Sequence, residues 1–132
     1  MQVVIMGSGR TGSLLASMLD EAGHEVTVVD WEAEAFSRLP DTFSGRTVLG
    51  NAVDQDVLRL AEIEQADVFV AASSGDNRNI MASQIAQHVF HVPKVVCRIK
   101  DPIRADIYEG LGIQVDCRTN EGTQVLLELA SP

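Results

Sequence analysis

Val3-Val4-Ile5-Met6-Gly7-Ser8-Gly9-Arg10-Thr11-Gly12 opens the chain and decides its fold. Four apolar residues in unbroken succession suit a parallel strand covered on both faces, since a half-exposed strand would alternate. A G-x-G-x-x-G turn follows at once. Gly7 permits the tight reversal off the strand, Gly9 lets the backbone approach a pyrophosphate, and Gly12 lets the next helix pack closely. Beyond it, Leu14, Leu15, Met18, Leu19 and Ala22 recur at helical spacing. Strand, glycine turn and helix in this order place a ligand's phosphates at a helix start, where free amides and the helix dipole favour an anion.

The same alternation continues to the end of the chain. Apolar strand-like runs at 26–29, 47–49, 68–72, 95–98 and 113–116 are separated by segments of helical periodicity near 32–39, 54–61, 78–90, 101–108 and 121–129. Asp101-Pro102 marks a helix start, with a capping carboxylate followed by proline in the first turn. Three further surfaces are expected from the spacing: Val57, Leu58 and Ala61 facing inward, a stripe of Met81, Ile85 and Val89, and Val125, Leu126 and Leu129 on the last helix. The predicted architecture is α/β, a Rossmann-like doubly wound parallel six-stranded sheet, with residues 1–132 as one nucleotide-binding domain.

Bulk properties agree and remove other classes. The 132 residues are 45% hydrophobic and 22% charged, close to a globular average. No apolar run approaches the ~20 residues that cross a bilayer, and the N-terminus lacks a basic leader, so a cytoplasmic location is expected. A formal charge of -9 argues against nucleic acid as a partner. Cys97 and Cys117 lack metal or redox spacing and are expected to be buried free thiols. His24, His88 and His91 offer no ligand set, so no metal is predicted. No G-x-S-x-G elbow and no catalytic tyrosine–lysine pairing occurs, and no catalytic residue is assigned.

Two side chains sharpen the ligand. Asp30 stands eighteen residues after Gly12 at a strand end, where its oxygens can accept hydrogen bonds from both ribose hydroxyls of an adenosine. The following Trp31-Glu32 provides no arginine for a 2′-phosphate, which argues against NADP. Arg10 within the turn can grip phosphate oxygens through two donors and suggests a ligand with exposed phosphate charge; a solvated arginine or a local salt bridge is the alternative.

With Gly7 to Gly12 carrying Arg10, then Asp30, Gly50-Asn51-Ala52, Ala66-Asp67-Val68-Phe69-Val70-Ala71-Ala72, the loop from Ser73 to Asn79, Val92-Pro93-Lys94-Val95-Val96-Cys97-Arg98 and Lys100-Asp101-Pro102, the chain resembles the TrkA N-terminal family of potassium-transport regulators. These are also called RCK N-terminal or KTN domains. The resemblance spans essentially the whole chain. It implies a regulatory, non-catalytic module that binds NAD(H) or ADP/ATP, assembles as a homo-oligomer (a dimer or higher ring), and acts peripherally at the inner membrane face on a potassium channel or transporter. The resemblance implies Gly7, Gly9, Arg10 and Gly12 for phosphate and Asp30 for the ribose, and Ser8 and Thr11 of the same turn and Trp31 next to Asp30 are counted with the cofactor site. Asn51 and Ala52 fall at the adenine edge, Ser73 and Ser74 across the switch point, and Arg98 at a terminal phosphate or a dimer partner.

Two positions depart from the family pattern. Asn51 stands where Gly-Asp-Ala is common, so an amide replaces a carboxylate. Cys117-Arg118-Thr119 replaces a Pro-Glu found in relatives, which leaves a metal role there unsupported. Many relatives also continue into a smaller C-terminal ligand domain. The competing reading is an NAD-dependent oxidoreductase fragment lacking its substrate domain.

Overall fold

The computed structural model describes residues Met1–Pro132. Strands β1 (Gln2–Met6), β2 (Glu25–Asp30), β3 (Arg46–Leu49), β4 (Val68–Ala71), β5 (Lys94–Arg98) and β6 (Gln114–Asp116) form one sheet in the order β3-β2-β1-β4-β5-β6. Every adjacent pair is parallel. β1 is therefore central, with Val3 opposite both Val26 and Val68, and the winding reverses between β1 and β4. The expected Rossmann-like sheet is the observed one.

Five α-helices accompany it: α1 (Arg10–Glu21), α2 (Gln55–Leu60), α3 (Asp76–His88), α4 (Pro102–Glu109) and α5 (Arg118–Ala130). The segment Ala33–Arg38 is a 3₁₀ helix, as is Ile63–Gln65. Local chemistry sets the starts. Asp101 accepts a hydrogen bond from the Ile103 amide at 3.1 Å with Pro102 in the first turn, and Asp54 accepts one from Asp56 at 2.8 Å.

The sheet's two faces are covered unequally. Val4, Met6, Phe69, Ala71, Val95 and Cys97 pack against Leu58, Ile63, Ala82, Ala86 and Ala105 in the larger core layer. On the other face Val3, Ile5, Val26 and Val28 meet Ala16 of α1 in a smaller one. Val68, Val70 and Val96, on that second face over β4 and β5, are only half buried.

Three helical surfaces depart from the sequence periodicity. In α1, Leu15 and Leu19 pack on the core while Leu14 and Met18 face solvent. In α3 the buried side is Ile80, Ala82, Ser83 and Ala86, with Ile85 partly covered, so Met81 and Val89 lie outside the core. Ala82, Ser83 and Ala86 let α3 lie close on the sheet, and Met81 and Val89 are turned outward. Helix α5 begins at Arg118, three residues earlier than expected, and buries none of its residues. Val125, Leu126 and Leu129 are exposed, Leu129 by 77%.

Both cysteines are free and buried, as their isolation in the sequence predicts. Burial pushes the Cys97 thiol from 9.0 up to about 11; the nearby Ser83 hydroxyl opposes the shift and the charge of Asp76 adds to it. Between those values the folded chain keeps a proton that the unfolded chain has released, so stability falls as pH rises through the window. Urea unfolding on either side of the window is expected to show a smaller decline for Cys97→Ala than for the wild type; equal declines would remove Cys97 as the cause.

Candidate functional site

Three backbone segments converge at the carboxyl ends of β1, β2 and β4. Gly7 leaves β1 at φ +104°, and a Cβ there would press on the backbone of Ala72 and Ser73 at 2.9–3.0 Å. A Cβ on Gly12 would run into the carbonyl oxygen of Gly7, so α1 can start this close to the strand only with glycine. Gly9 caps α1 without any side-chain hydrogen bond, which leaves the first-turn amides directed at the cleft.

Asp30 is fixed by the turn it faces. One carboxylate oxygen accepts the Ser8 amide at 2.8 Å and the other the Glu32 amide at 2.9 Å. A carboxylate has about four acceptor positions, so two remain for a ligand. The sequence reading gave Asp30 only a ribose; the structure adds the task of pinning the end of β2 to the glycine turn.

Two adjoining clefts open here. The wider, about 450 Å³, is lined by Gly7, Gly9, Arg10, Thr11, Asp30, Trp31, Ser73, Ser74 and Arg98 together with Glu32, Ala35, Arg38, Ala72, Arg78 and Lys100. The narrower, about 40 Å³, lies between Met6, Gly7, Val29, Asp30 and Trp31 on one side and Gly50, Asn51, Ala52, Ser73 and Arg78 on the other. Of the residues singled out in the sequence, only Ser8 and Gly12 line neither. The Ser8 hydroxyl is buried and donates to the Ala35 carbonyl at 3.0 Å, so its side chain supports the 3₁₀ segment. Arg38, Arg78 and Lys100 escaped the sequence reading because each sits on an element whose placement only the fold reveals.

The charges in the wider cleft are one-sided. Arg10, Arg38, Arg78, Arg98 and Lys100 are half of the chain's ten basic residues, and none makes a salt bridge. Four of the other five do: Arg46 with Glu62, Arg59 with Asp56, Arg104 with Asp101, and Arg118 with Asp116 and Glu121. In a chain with nineteen carboxylates the cleft cations do not lack partners for want of acids. Arg98 reaches Thr11 Oγ1 at 3.4 Å, while its buried Nε has no partner. The nearby carboxylates Asp101 and Asp116 pair instead with Arg104 and Arg118.

Asn79 braces the far wall. Its Oδ1 accepts from the Ser73 amide at 3.0 Å and the Ser73 hydroxyl at 2.6 Å, and its Nδ2 donates to the carbonyls of Ser73 and Arg98, both at 2.9 Å. A second cavity of about 300 Å³ lies at the opposite end of the strands, between Gln2, Asp20, His24, Ser44 and Arg46. Its charges are already satisfied: Ser44 holds the Asp20 carboxyl below its usual value, and Arg46 pairs with Glu62.

Comparison with known proteins follows the geometry. The TrkA-N domain family matches residues 3–117. The chain is 51% identical over 113 residues, 86% of its length, to the Trk system potassium uptake protein TrkA of Streptomyces coelicolor, of which this covers 51%. It is 38% identical over 109 residues, 83% of its length, to the TrkA homolog of Pyrococcus abyssi, covering 48% of that protein. The chain thus spans about half the length of these relatives. Among solved structures, the TrkA-N domain of the inner membrane protein ybaL from Escherichia coli superposes with a TM-score of 0.84 at 22% identity, covering 98% of this chain and 96% of that one. The GsuK channel bound to NAD gives 0.80 at 23%, over 97% of this chain and 23% of that one.

Replacing Asn79 by leucine strands the Ser73 amide and two carbonyls in a buried setting, each worth about 1–3 kcal/mol when left unpaired. Asn79→Leu is expected to lower unfolding stability by about 3 kcal/mol or more in urea titration; a loss under about 1 kcal/mol would show that the wall stands without it.

Proposed function

The chain belongs to the TrkA-N domain family, and from that premise we propose that residues 1–132 form a nucleotide-binding regulatory domain controlling a potassium channel or transporter. The observation that carries the binding step is the set of five unpaired cations around a glycine turn in an otherwise acidic chain. Unpaired guanidinium groups facing solvent gain by meeting an oxyanion, and each planar fork suits phosphate. Asp30 then selects a ribose, and the narrow cleft beside Asn51 and Ala52 takes a base. NAD(H), ADP and ATP share these parts.

The lining's basic side chains and glycine-turn amides suit holding an anion, which supports the binding role. No helix is long and apolar enough to cross a membrane; in this reading the domain acts peripherally at the inner membrane face on its transport partner. A ligand regulates only through different affinity for two conformations, and a small rigid sheet needs a second body to move against. The exposed apolar residues supply a surface for one: Ile103, Ile107 and Leu111 on and after α4, and Val125, Leu126 and Leu129 on α5.

Calorimetry with adenosine, ADP and ATP tests the phosphate role. Arg10→Ala is expected to weaken ATP more than ADP and to leave adenosine nearly unchanged, while Asp30→Ala weakens all three by about 1.5–3 kcal/mol. Equal losses for adenosine and ATP on removing Arg10 would show that it acts through the fold.

Light scattering over a range of concentrations is expected to give a mass above the 14.3 kDa of one chain, and Leu126→Glu to reduce it. A constant monomer mass, with and without nucleotide, would overturn the dimer and the gating that depends on it.

A further inference from the structure

Trp31 and Arg78 meet across the narrow cleft in a contact that no hydrogen bond or ion pair accounts for. Arg78, on the first turn of α3, lays its guanidinium over the Trp31 ring with Cζ 3.3 Å from the centroid. Trp31 follows Asp30 at the end of β2, and Arg78 stands on the opposite wall near Ser73, so the pair bridges the cleft from one half of the sheet to the other. Beneath it the slot between Val29, Gly50, Asn51 and Ala52 keeps about 40 Å³, room for a water or two and not for a purine. A planar base stacked on that face of the indole needs the place that the guanidinium occupies.

We propose that Trp31 and Arg78 form an aromatic gate over the base slot, through which a nucleobase enters by replacing the Arg78 guanidinium against the indole. This rests on the nucleotide reading above. The exchange is close to balanced, because an indole face attracts a cation and an aromatic ring with similar strength. Nothing else holds Arg78 in place, since it has no carboxylate partner and its side chain is exposed. Displaced from Trp31, it still lines the wider cleft beside Arg10 and Arg98, where phosphate would recapture it. A ligand carrying both a base and phosphates therefore satisfies the indole and the arginine together. A base alone leaves the arginine unpaired, and phosphate alone leaves the stack in place. Arg78 thus sets specificity for the nucleotide over its parts.

Trp31 is the only tryptophan of the chain, so its emission reports this contact without interference. Adenosine, ADP and inorganic pyrophosphate would be titrated into the full chain and into Arg78→Ala, with Trp31 emission and calorimetry read in parallel; the substituted side chain is exposed and outside the core. Adenosine and ADP are expected to alter Trp31 emission and pyrophosphate to leave it unchanged. Arg78→Ala should alter the emission before any ligand is added. It should bind adenosine about two- to five-fold tighter, the strength of an exposed cation–π contact, and gain nothing for ADP, whose phosphates lose a partner. Unchanged or weaker adenosine binding by Arg78→Ala would overturn the gate, as would pyrophosphate moving the emission as far as ADP does. Heat on adding ADP with constant emission would overturn the gate alone. No heat with ADP, NAD or adenosine would sink the nucleotide reading, and the gate with it.

Discussion

The start of α1 lies against the end of β1 so closely that no side chain fits between Gly12 and the Gly7 carbonyl, and the rest of the structure depends on that approach. It delivers the first-turn amides of a twelve-residue helix to the carboxyl edge of the central strand. Gly7 in turn touches the backbone of Ala72 and Ser73, which brings the loop after β4 to the same point. The Asp30 carboxylate closes the third side by binding the Ser8 and Glu32 amides. With backbone against backbone on two sides and a carboxylate bound to amides on the third, the floor of the cleft is built largely of backbone, and its rim has the space for long side chains.

That division of space explains the electrostatics. A floor of free amides already favours an anion, and the rim residues that can lean over it are Arg10, Arg38, Arg78, Arg98 and Lys100. Elsewhere arginines are neutralised locally, often by an acid three residues away on the same helix, as with Arg59 and Asp56 or Arg104 and Asp101. Such exposed pairs contribute at most about 1 kcal/mol of stability each, so the cleft cations sacrifice little by standing unpaired. Five cations against the two carboxylates of Asp30 and Glu32 leave the cleft with an excess of positive charge that an anion from outside would offset.

How much of this was legible in the sequence follows from the range of each interaction. The glycine turn and the starts of α2 and α4 depend on residues a few positions apart, so the sequence carries them directly. Asp30 was legible as a residue of the cleft because its position relative to the turn is nearly constant in such folds. Its grip on the Ser8 amide was not, since that contact crosses twenty-two residues. Periodicity misjudged α1 and α3 for a related reason. It finds apolar residues on one face but does not know which face meets the sheet, and in α3 the sheet takes Ala82, Ser83 and Ala86 while Met81 and Val89 stay outside. Arg78 and Arg38 lie in neither the glycine motif nor a strand end, so only the fold places them at the cleft.

The first turn of α3 joins the cleft to the exposed face of α4 through short, satisfied contacts. Asp76 binds the amides of Lys100 and Asp101 at 2.9 and 3.1 Å, and Asn77 accepts from Arg104 at 2.6 Å. Two residues further on, Asn79 fixes Ser73 and the end of β5, and between them Arg78 reaches back to Trp31. Four consecutive residues therefore touch the base slot, the phosphate cleft and the start of the helix that carries Ile103 and Ile107. Coupling between two sites needs an element with more than one arrangement, and a rigid wall alone provides none. In this turn Asp76, Asn77 and Asn79 are each held by hydrogen bonds, whereas Arg78 is held by stacking alone. A ligand that moves Arg78 thus acts on the one side chain of the turn that is free to change partner, at the point where cleft and exposed helix share a backbone.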